Sequence, residues 1–556
     1  MSEPMSETPA IADLIQQGLF HHRQGDFAQA MQRYSDVLRI DPNNADALYY
    51  VASIACQEEQ YKEGIGLARK ALAAGPPQAR MHNLIGKAHE RLGEHLEAIK
   101  AFDAAIATDP TFAEAHGNRA LLLSDAGMPE EALKSFDRAL ALDPGAVPDW
   151  VNRGTLLLEL GRFEEALASF EKAIALAPED AHTQMGRGNA LAALGRYADA
   201  EQAYQQAIAR NPKLAIAHTK KAMAVIYQGR LAEARKLLEQ RMALQPKDAS
   251  TAFALAQLML LMGDWRAAWP LFESRASLPQ PSYAPLEGER WQGQAPGGYR
   301  LVLLAEQGLD DTLQFARYAS LLAGRGHDVT VLAPPVLAPL LRSLPGIERV
   351  TSSLDEIAAD KRPYRWLPLL STMGLMHLTA DTVPAQEPYL AAEPERVARW
   401  RDKLGDGFKV GISWQGATGG TPLATFAPLA ELTGVRLISL QKGPAAGECA
   451  RVPFGSKIEH PLNANDISAE GLLDMAAVMA NLDLVVSIDA LPAHLAGALG
   501  RPVFLALPRI PDWRWLTERE DSPWYPTMRL FRQDDTRQWQ PVFARIAAAI
   551  RERAGG

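Results

Sequence analysis

Through the first half of the chain the apolar positions follow a helical period, and the helices themselves recur. Prolines fall at Pro42, Pro76, Pro110, Pro144, Pro178, Pro212 and Pro246, every interval being 34 residues. A glycine stands 17 before the proline in most units (Gly25, Gly93, Gly127, Gly161, Gly195, Gly229), and an alanine 12 before it (Ala30, Ala98, Ala132, Ala166, Ala200, Ala234). A large residue stands 8 before it (Tyr34, Phe102, Phe136, Phe170, Tyr204, Leu238) and a small one 24 before it (Gly18, Ala52, Gly86, Ala120, Gly154, Gly188, Ala222). This register predicts stacked helical hairpins, because one hairpin cannot bury its own apolar face. The glycine makes the turn, the small residues allow close approach, the large one fills the gap between neighbouring hairpins, and the proline ends the second helix. Seven units and a less regular eighth occupy residues 11–278, behind a polar, disordered tail at 1–10. The second unit is expected to be a softer point, with Gly64 and Ala68 where alanine and an aromatic belong. The eighth keeps Ala256, Gly263, Ala268 and Phe272 in register, but Pro279 comes one residue early.

Residues 279–300, rich in proline and glycine, break the period and read as a linker. Strand and helix then alternate: strands at 301–305 and 328–332, helices at 311–324 and 336–344. Further on come a helix at 393–404, strands at 409–414 and 436–441, a helix at 468–481, a strand at 484–489, a helix at 492–499, a strand at 503–507, and a last helix at 539–552. Such alternation predicts parallel sheets with helices on both faces. Two α/β units, 301–392 and 393–556, would place ligands at the carboxyl ends of their strands, in a cleft between them.

Composition narrows the function classes. A formal net charge of -9 argues against nonspecific duplex binding, so no nucleic-acid partner is expected. Two cysteines far apart, Cys56 and Cys449, fit a reducing compartment, and a polar first segment without an apolar stretch is not a secretory signal. No apolar run is long enough to span a bilayer. The expected location is the cytoplasm.

The hairpin register resembles the tetratricopeptide repeat (TPR) family, with nearly every motif position filled in GTLLLELGRFEEALASFEKAIALAPED. That resemblance implies an α solenoid whose concave groove binds a protein or peptide, or else an array that only spaces its neighbour. Asn118 and Asn152, 34 apart, are similar to the asparagines that clamp a peptide main chain in the repeats of O-linked N-acetylglucosamine transferase. The equivalent positions include Leu84, Gly186 and Lys220, so a clamp and plain exposed polar residues both remain open.

Four places in the second half carry candidate chemistry. In EQGLDDTLQFARY, Asp311 is either a helix cap or a carboxylate held at the cleft as a general base. In VVSIDALPAHLAGALGRPV, Asp489 ends a strand and Pro492 and His494 open a helix: either an anion site at the helix start, or a capped helix with a solvated histidine. In SLQKG, Gln441 and Lys442 either contact a diphosphate or ribose or are solvated. The aromatics of WRWLTEREDSPWYP read as core or domain seam before sugar platform.

As a set, these stretches with VGISWQG and PDWRWLTEREDSPWYPTMRLFRQ resemble the C-terminal module of bacterial TPR glycosyltransferases, heptosyltransferase-like (family 9-like) and of the GT-B fold. The resemblance implies two Rossmann-like lobes. It also implies transfer of a sugar from a nucleotide-diphosphate donor with inversion, no metal or other cofactor, and the nucleotide sugar as co-substrate. Asp311 would be the base, Asp489 and His494 would belong to the donor site, Gln441 and Lys442 would hold the diphosphate side, and Ser413 and Trp414 would line the donor cleft. Three departures stand out. Asp310 replaces a glycine that permits positive φ or close approach, Ala490 replaces a threonine, and ATGGTPLATF after the Trp414 stretch lacks the expected arginine. A catalytically degenerate module on an interaction scaffold is therefore the alternative.

Overall fold

The computed structural model describes residues 7–278, 283, 285–385, 388–416 and 419–554. Residues 1–6 of the expected tail and Pro279 lie outside the described residues; helix begins at Glu7. The chain divides into two compact units, residues 1–224 and 225–556.

The first unit is built of antiparallel helix pairs: Glu7–Arg23 with Phe27–Ile40, Ala45–Gln57 with Tyr61–Ala74, Ala79–Arg91 with His95–Thr108, Ala113–Asp125 with Pro129–Leu142, Val147–Glu159 with Phe163–Leu176, and Ala181–Ala193 with Tyr197–Arg210. The turn glycines adopt φ between +72° and +76°, from Gly25 to Gly195, the left-handed conformation that closes a helix without a Cβ penalty. Phe170 explains the small positions on its two sides. A Cβ on Gly154 would lie 2.9 Å from its ring and one on Gly186 2.5 Å, so the ring seats against its own hairpin and the next. The second pair departs where the register predicts: Glu59 takes φ +63° in the glycine position, and Ala68 is buried where an aromatic stands elsewhere.

Three polar contacts repeat with the period. Arg119 Nε donates to Asp103 at 2.6 Å and its Nη1 to Ser135 at 2.7 Å; Arg153 repeats both bonds one unit on, to Asp137 at 2.8 Å and Ser169 at 2.7 Å. Trp150 Nε1 donates to the Pro144 carbonyl at 3.0 Å, where His116 meets the Pro110 carbonyl at 3.2 Å.

The second unit holds the helix pairs that continue the register, Leu231–Leu244 and then Ala249–Leu261 with Trp265–Phe272, followed by a 3₁₀ turn at Glu273–Ser277. Helix Ala215–Tyr227 runs across the division. Two all-parallel sheets follow. The first has strands β1 (Glu289–Arg290), β2 (Arg300–Leu304), β3 (Asp328–Leu332), β4 (Arg349–Thr351) and β5 (Tyr364–Pro368), in the order β1-β5-β2-β3-β4. The second has β6 (Phe408–Ser413), β9 (Val435–Ser439), β10 (Ile458–Glu459), β11 (Leu484–Ile488), β12 (Val503–Leu507) and β13 (Met528–Arg532), in the order β10-β9-β6-β11-β12-β13. A small antiparallel pair, β7 (Gln415–Gly416) and β8 (Gly419–Gly420), follows β6.

The α/β character is as the alternation predicts, with two adjustments. The expected helix at 311–324 is two, Leu309–Phe315 and Arg317–Gly324, and that at 336–344 is helical only over Ala338–Leu341. Strands β1, β4, β5, β10 and β13 were not expected. All five lie at or next to a sheet edge and carry charges (RVT, MRLFR), which breaks the apolar run that marks a central strand.

Candidate functional site

The turn after β2 carries the first candidate. Glu306 is fully buried and takes both arms of Arg275, at 2.8 and 2.9 Å, and the Leu370 N–H at 3.0 Å. Gln307 then takes φ +60°, and Gly308 opens helix Leu309–Phe315. Asp311 makes the return bond of a cap, its Oδ2 accepting from the Gly308 N–H at 3.3 Å, while glycine has no side chain to answer it. Asp310, standing where a glycine was expected, is helical and needs no positive φ. Its carboxylate accepts from the Asp311 N–H at 3.1 Å, in space left open by Gly308, where a Cβ would lie 2.2 Å from it.

The turn after β11 carries the second. His494 is buried, at 2% exposure; it is not the solvated residue of the capped-helix reading. Its Nε2 faces Asp489 Oδ1 at 3.3 Å and its Nδ1 faces the Tyr525 hydroxyl at 3.0 Å. With Nε2 as donor to the carboxylate, Nδ1 accepts from the tyrosine. Burial pushes the Asp489 carboxyl up, but the hydrogen bond from His494, with Arg514 nearby, outweighs it and the net shift is downward. Its side chain keeps 28% of its exposure, so this corner of the site is open.

Helices Leu309–Phe315 and Leu491–Ala498, one after each sheet's strand, pack against one another, bringing the two turns together. Arg514 joins them, a residue that the sequence reading passed over. Its Nη2 pairs with Asp311, its Nη1 donates to Asp512 at 2.7 Å, and its Nε donates to Gln314 at 2.8 Å. The guanidinium lies 4.5 Å from the Trp513 ring centre and 5.5 Å from that of Phe315. Burial opposes its charge, but Asp311, Asp512 and Asp489 hold it protonated well above the usual arginine value. For Asp311 burial dominates and the carboxyl is raised, Arg514 pulling down and Asp310 pushing up. The signal available in the sequence was the motif PDWRW, in which one cation lies among aromatics and next to an aspartate.

The remaining candidates are placed as follows. Gln441 is nearly buried and clamps two strand ends: its Oε1 accepts from Ser413 Oγ at 3.3 Å and from the Trp414 and Gln415 N–H groups at 3.0 Å each. Ser413 and Trp414 are wholly buried, and the indole packs into the core beside Phe426 rather than standing on an exposed wall. Lys442 is half-buried, donates to the Asn463 carbonyl at 2.9 Å, and is pushed down by burial against the pull of Asp466 and Asp474. Trp513, Trp515, Trp524 and Tyr525 are buried, in line with the core reading. Trp524 stacks on Trp265 at 5.4 Å, and Trp513 meets Trp269 at 5.9 Å, so helix Trp265–Phe272 packs onto the loop that carries Arg514. In the first unit, Asn118 donates to Asn83 Oδ1 at 3.0 Å, one residue off the predicted ladder; Asn152 makes no such bond among the described residues.

Models of the tetratricopeptide repeat match residues 21–88, 83–147 and 151–215, and these residues are tetratricopeptide repeats. Protein FlbA of Caulobacter vibrioides is 31% identical over 296 residues, 48% of this chain and 49% of that protein. Tetratricopeptide repeat protein 28 of Mus musculus is 31% identical over 109 residues, 19% of this chain and 4% of that protein. The chain thus spans about half the length of the first curated relative, 49%, and 4% of the second. Among solved structures, Pseudomonas aeruginosa PilF is similar at 21% identity and a TM-score of 0.35, covering 38% of this chain and 95% of that one. Among the described residues no helix is long and apolar enough to cross a membrane.

Proposed function

We propose that residues 301–556 form a glycosyltransferase of GT-B type, its two parallel sheets being Rossmann-like lobes, and that the repeats bring it a protein or peptide acceptor in the cytoplasm. One observation carries the reading. The turn after a strand of one sheet, with Asp311, and the turn after a strand of the other, with Asp489 and His494, meet around a single arginine. A sugar-transfer site needs an acceptor base on one side and charge stabilisation for a departing diphosphate on the other.

In this reaction the acceptor oxygen attacks the anomeric carbon as the bond from that carbon to the diphosphate oxygen breaks. The hydroxyl proton passes to Asp311, and the configuration inverts. Burial suits Asp311 to the task, because a raised carboxyl takes a proton more readily than an ordinary one. The diphosphate leaves toward Lys442, Arg514 and the N–H groups that open helix Leu491–Ala498. Gln441 serves indirectly, fixing the ends of β6 and β9.

The second reading, a degenerate module on an interaction scaffold, draws on one specific observation: a carboxylate already paired with a guanidinium is a poor base. A panel of UDP-, GDP- and ADP-sugars, assayed with the full chain for release of nucleoside diphosphate, separates the two. The transferase reading expects turnover with one donor and a loss of about 10²–10⁴-fold in Asp311→Asn. Binding without turnover across the panel leaves the scaffold.

A further inference from the structure

Arg514 pairs with two carboxylates, Asp311 and Asp512. A guanidinium has five N–H groups in a rigid fork. Three are engaged, by Asp311, Asp512 and Gln314, and two have no partner among the described residues. Its guanidinium lies beside the rings of Trp513 and Phe315, which stack on one another at 6.4 Å. The loop that carries it is strained, Leu516 being held at φ +55° directly after the 3₁₀ turn Trp513–Trp515. Arg514 is buried, at 8% exposure, beside the more open Asp489. The Arg514, Asp311 and Asp489 side chains keep 10%, 13% and 28% of their exposure, side by side.

We propose that Arg514 binds the diphosphate of a nucleoside diphosphate and that Asp311 competes with that ligand for it, so that donor binding releases the base. This rests on the transferase reading for the role of Asp311, but the binding competition stands without it. A diphosphate brings more negative charge than one carboxylate and presents oxygens that match the fork in pairs, so it outcompetes Asp311 for the shared N–H groups. Arg514 is also the main charge that holds the Asp311 carboxyl down against burial and Asp310. Drawing it away leaves those two in command and strengthens Asp311 as a proton acceptor when the donor is in place. It also supplies the cation that the 417–426 stretch lacks, from a different segment of the chain.

The test is calorimetric titration of the full chain with inorganic pyrophosphate and, separately, with UDP, GDP and ADP. Competition makes an unusual demand: removing a negative residue from the candidate base must tighten anion binding through Arg514, not merely through lost repulsion. Asp311→Asn is expected to bind pyrophosphate about tenfold tighter than wild type, and one nucleoside diphosphate by the same factor, within the usual range of coupling between sites. Arg514→Gln is expected to lose at least that factor, and in the double variant the gain from Asp311→Asn disappears. Asp311→Asn preserves the shape of the side chain, so its result stands even where Arg514→Gln unfolds. Unchanged or weaker binding by Asp311→Asn overturns the proposal, as does the same gain persisting in the double variant. A gain for pyrophosphate with none for any nucleoside diphosphate also overturns it. Sugar turnover without the gain sinks the competition and spares the transferase; the gain without turnover does the reverse.

Discussion

Residues 7–224 are held together by one set of contacts used repeatedly, whereas the described residues from Glu273 on, beyond the last helix pair, rest on singular contacts. In the first region an aromatic ring seats on a glycine in hairpin after hairpin, Phe102 on Gly86, Phe170 on Gly154, Tyr204 on Gly188. The arginine bridge at Arg119 recurs at Arg153. In the second region Arg275 and Glu306 pair with both side chains at zero exposure, which no other ion pair among the described residues does. It ties the 3₁₀ turn after the last helix pair to the end of β2, immediately before the turn that carries Asp311. Repetition spreads stability over equivalent neighbours, so one lost contact is felt locally. A singular buried contact has no substitute, and its loss frees the elements that it joins.

The largest effect should therefore come from Arg275. Arg275→Met leaves the Glu306 carboxylate buried without its guanidinium and should cost about 3–5 kcal/mol, read as a fall in the denaturation midpoint of the α/β part. Adding Glu306→Gln should recover a large part of the loss. A cost under about 1 kcal/mol would mean that the pair is as dispensable as a surface bridge, and the contrast between the regions would fail. Next come Phe102→Ala and Phe170→Ala, whose rings seat on Gly86 and Gly154, each expected to cost about 3 kcal/mol through lost burial and a residual cavity. The sharper demand is equality. Two interior hairpins with the same contact should lose the same amount within about 0.5 kcal/mol, the scatter usual for independent sites.

The same contrast governs what could be read from the sequence. The hairpins were legible because each requirement is stated several times: glycine at the turn, a small residue facing the ring, proline at the end. Even the Arg119 and Arg153 bridge left a trace, since arginine, aspartate and serine all recur at 34. In the α/β part the central strands β2, β3, β11 and β12 were legible as apolar runs, and the turns with Asp311 and Asp489 as chemistry at strand ends. Arg514 was not, because its role depends on Gln314 and Asp311, some 200 residues away, at 200 and 203 positions' separation. Trp414 misled for the opposite reason. A tryptophan at a strand end in a donor-like motif suggests a cleft wall, but burial of the indole beside Phe426 and Phe543 gives it a packing role.

A smaller effect, of opposite sign, tests the softness of the second hairpin. Glu59 holds φ +63°, where most hairpins use glycine, and a side chain in that conformation costs about 1–2 kcal/mol. Glu59→Gly should gain about 1 kcal/mol after the extra freedom glycine adds to the unfolded chain. The same exchange reversed, Gly161→Glu, should lose a similar amount. Thermal unfolding of both variants checks the pair. A loss from Glu59→Gly would show that the glutamate side chain makes up for its backbone.

The smallest effect is expected at Asp149, and its sign depends on pH. The carboxylate lies half-buried against Gly117, where a Cβ would come within 2.7 Å of it, and it accepts no hydrogen bond from a described residue. Burial raises its carboxyl, and the charges of Asp143 and Glu114 raise it further. Its place in the first turn of helix Val147–Glu159 favours the charge, but only by a few tenths of a kcal/mol to about 1. A carboxyl raised in the folded state takes up a proton more tightly there than in the unfolded chain, so the charged form weakens the fold at neutral pH. Asp149→Asn should therefore raise the melting temperature slightly at pH 7. The advantage should be complete above the raised folded value and should close as pH falls through it to the ordinary carboxyl value, where folded and unfolded chains are both protonated. Melting curves of the two chains from pH 7 down to 3.5 would show the gap narrowing. A gap that widens toward acid would mean that Asp149 gains from its charge in the folded repeats, as a residue engaged in a polar contact does.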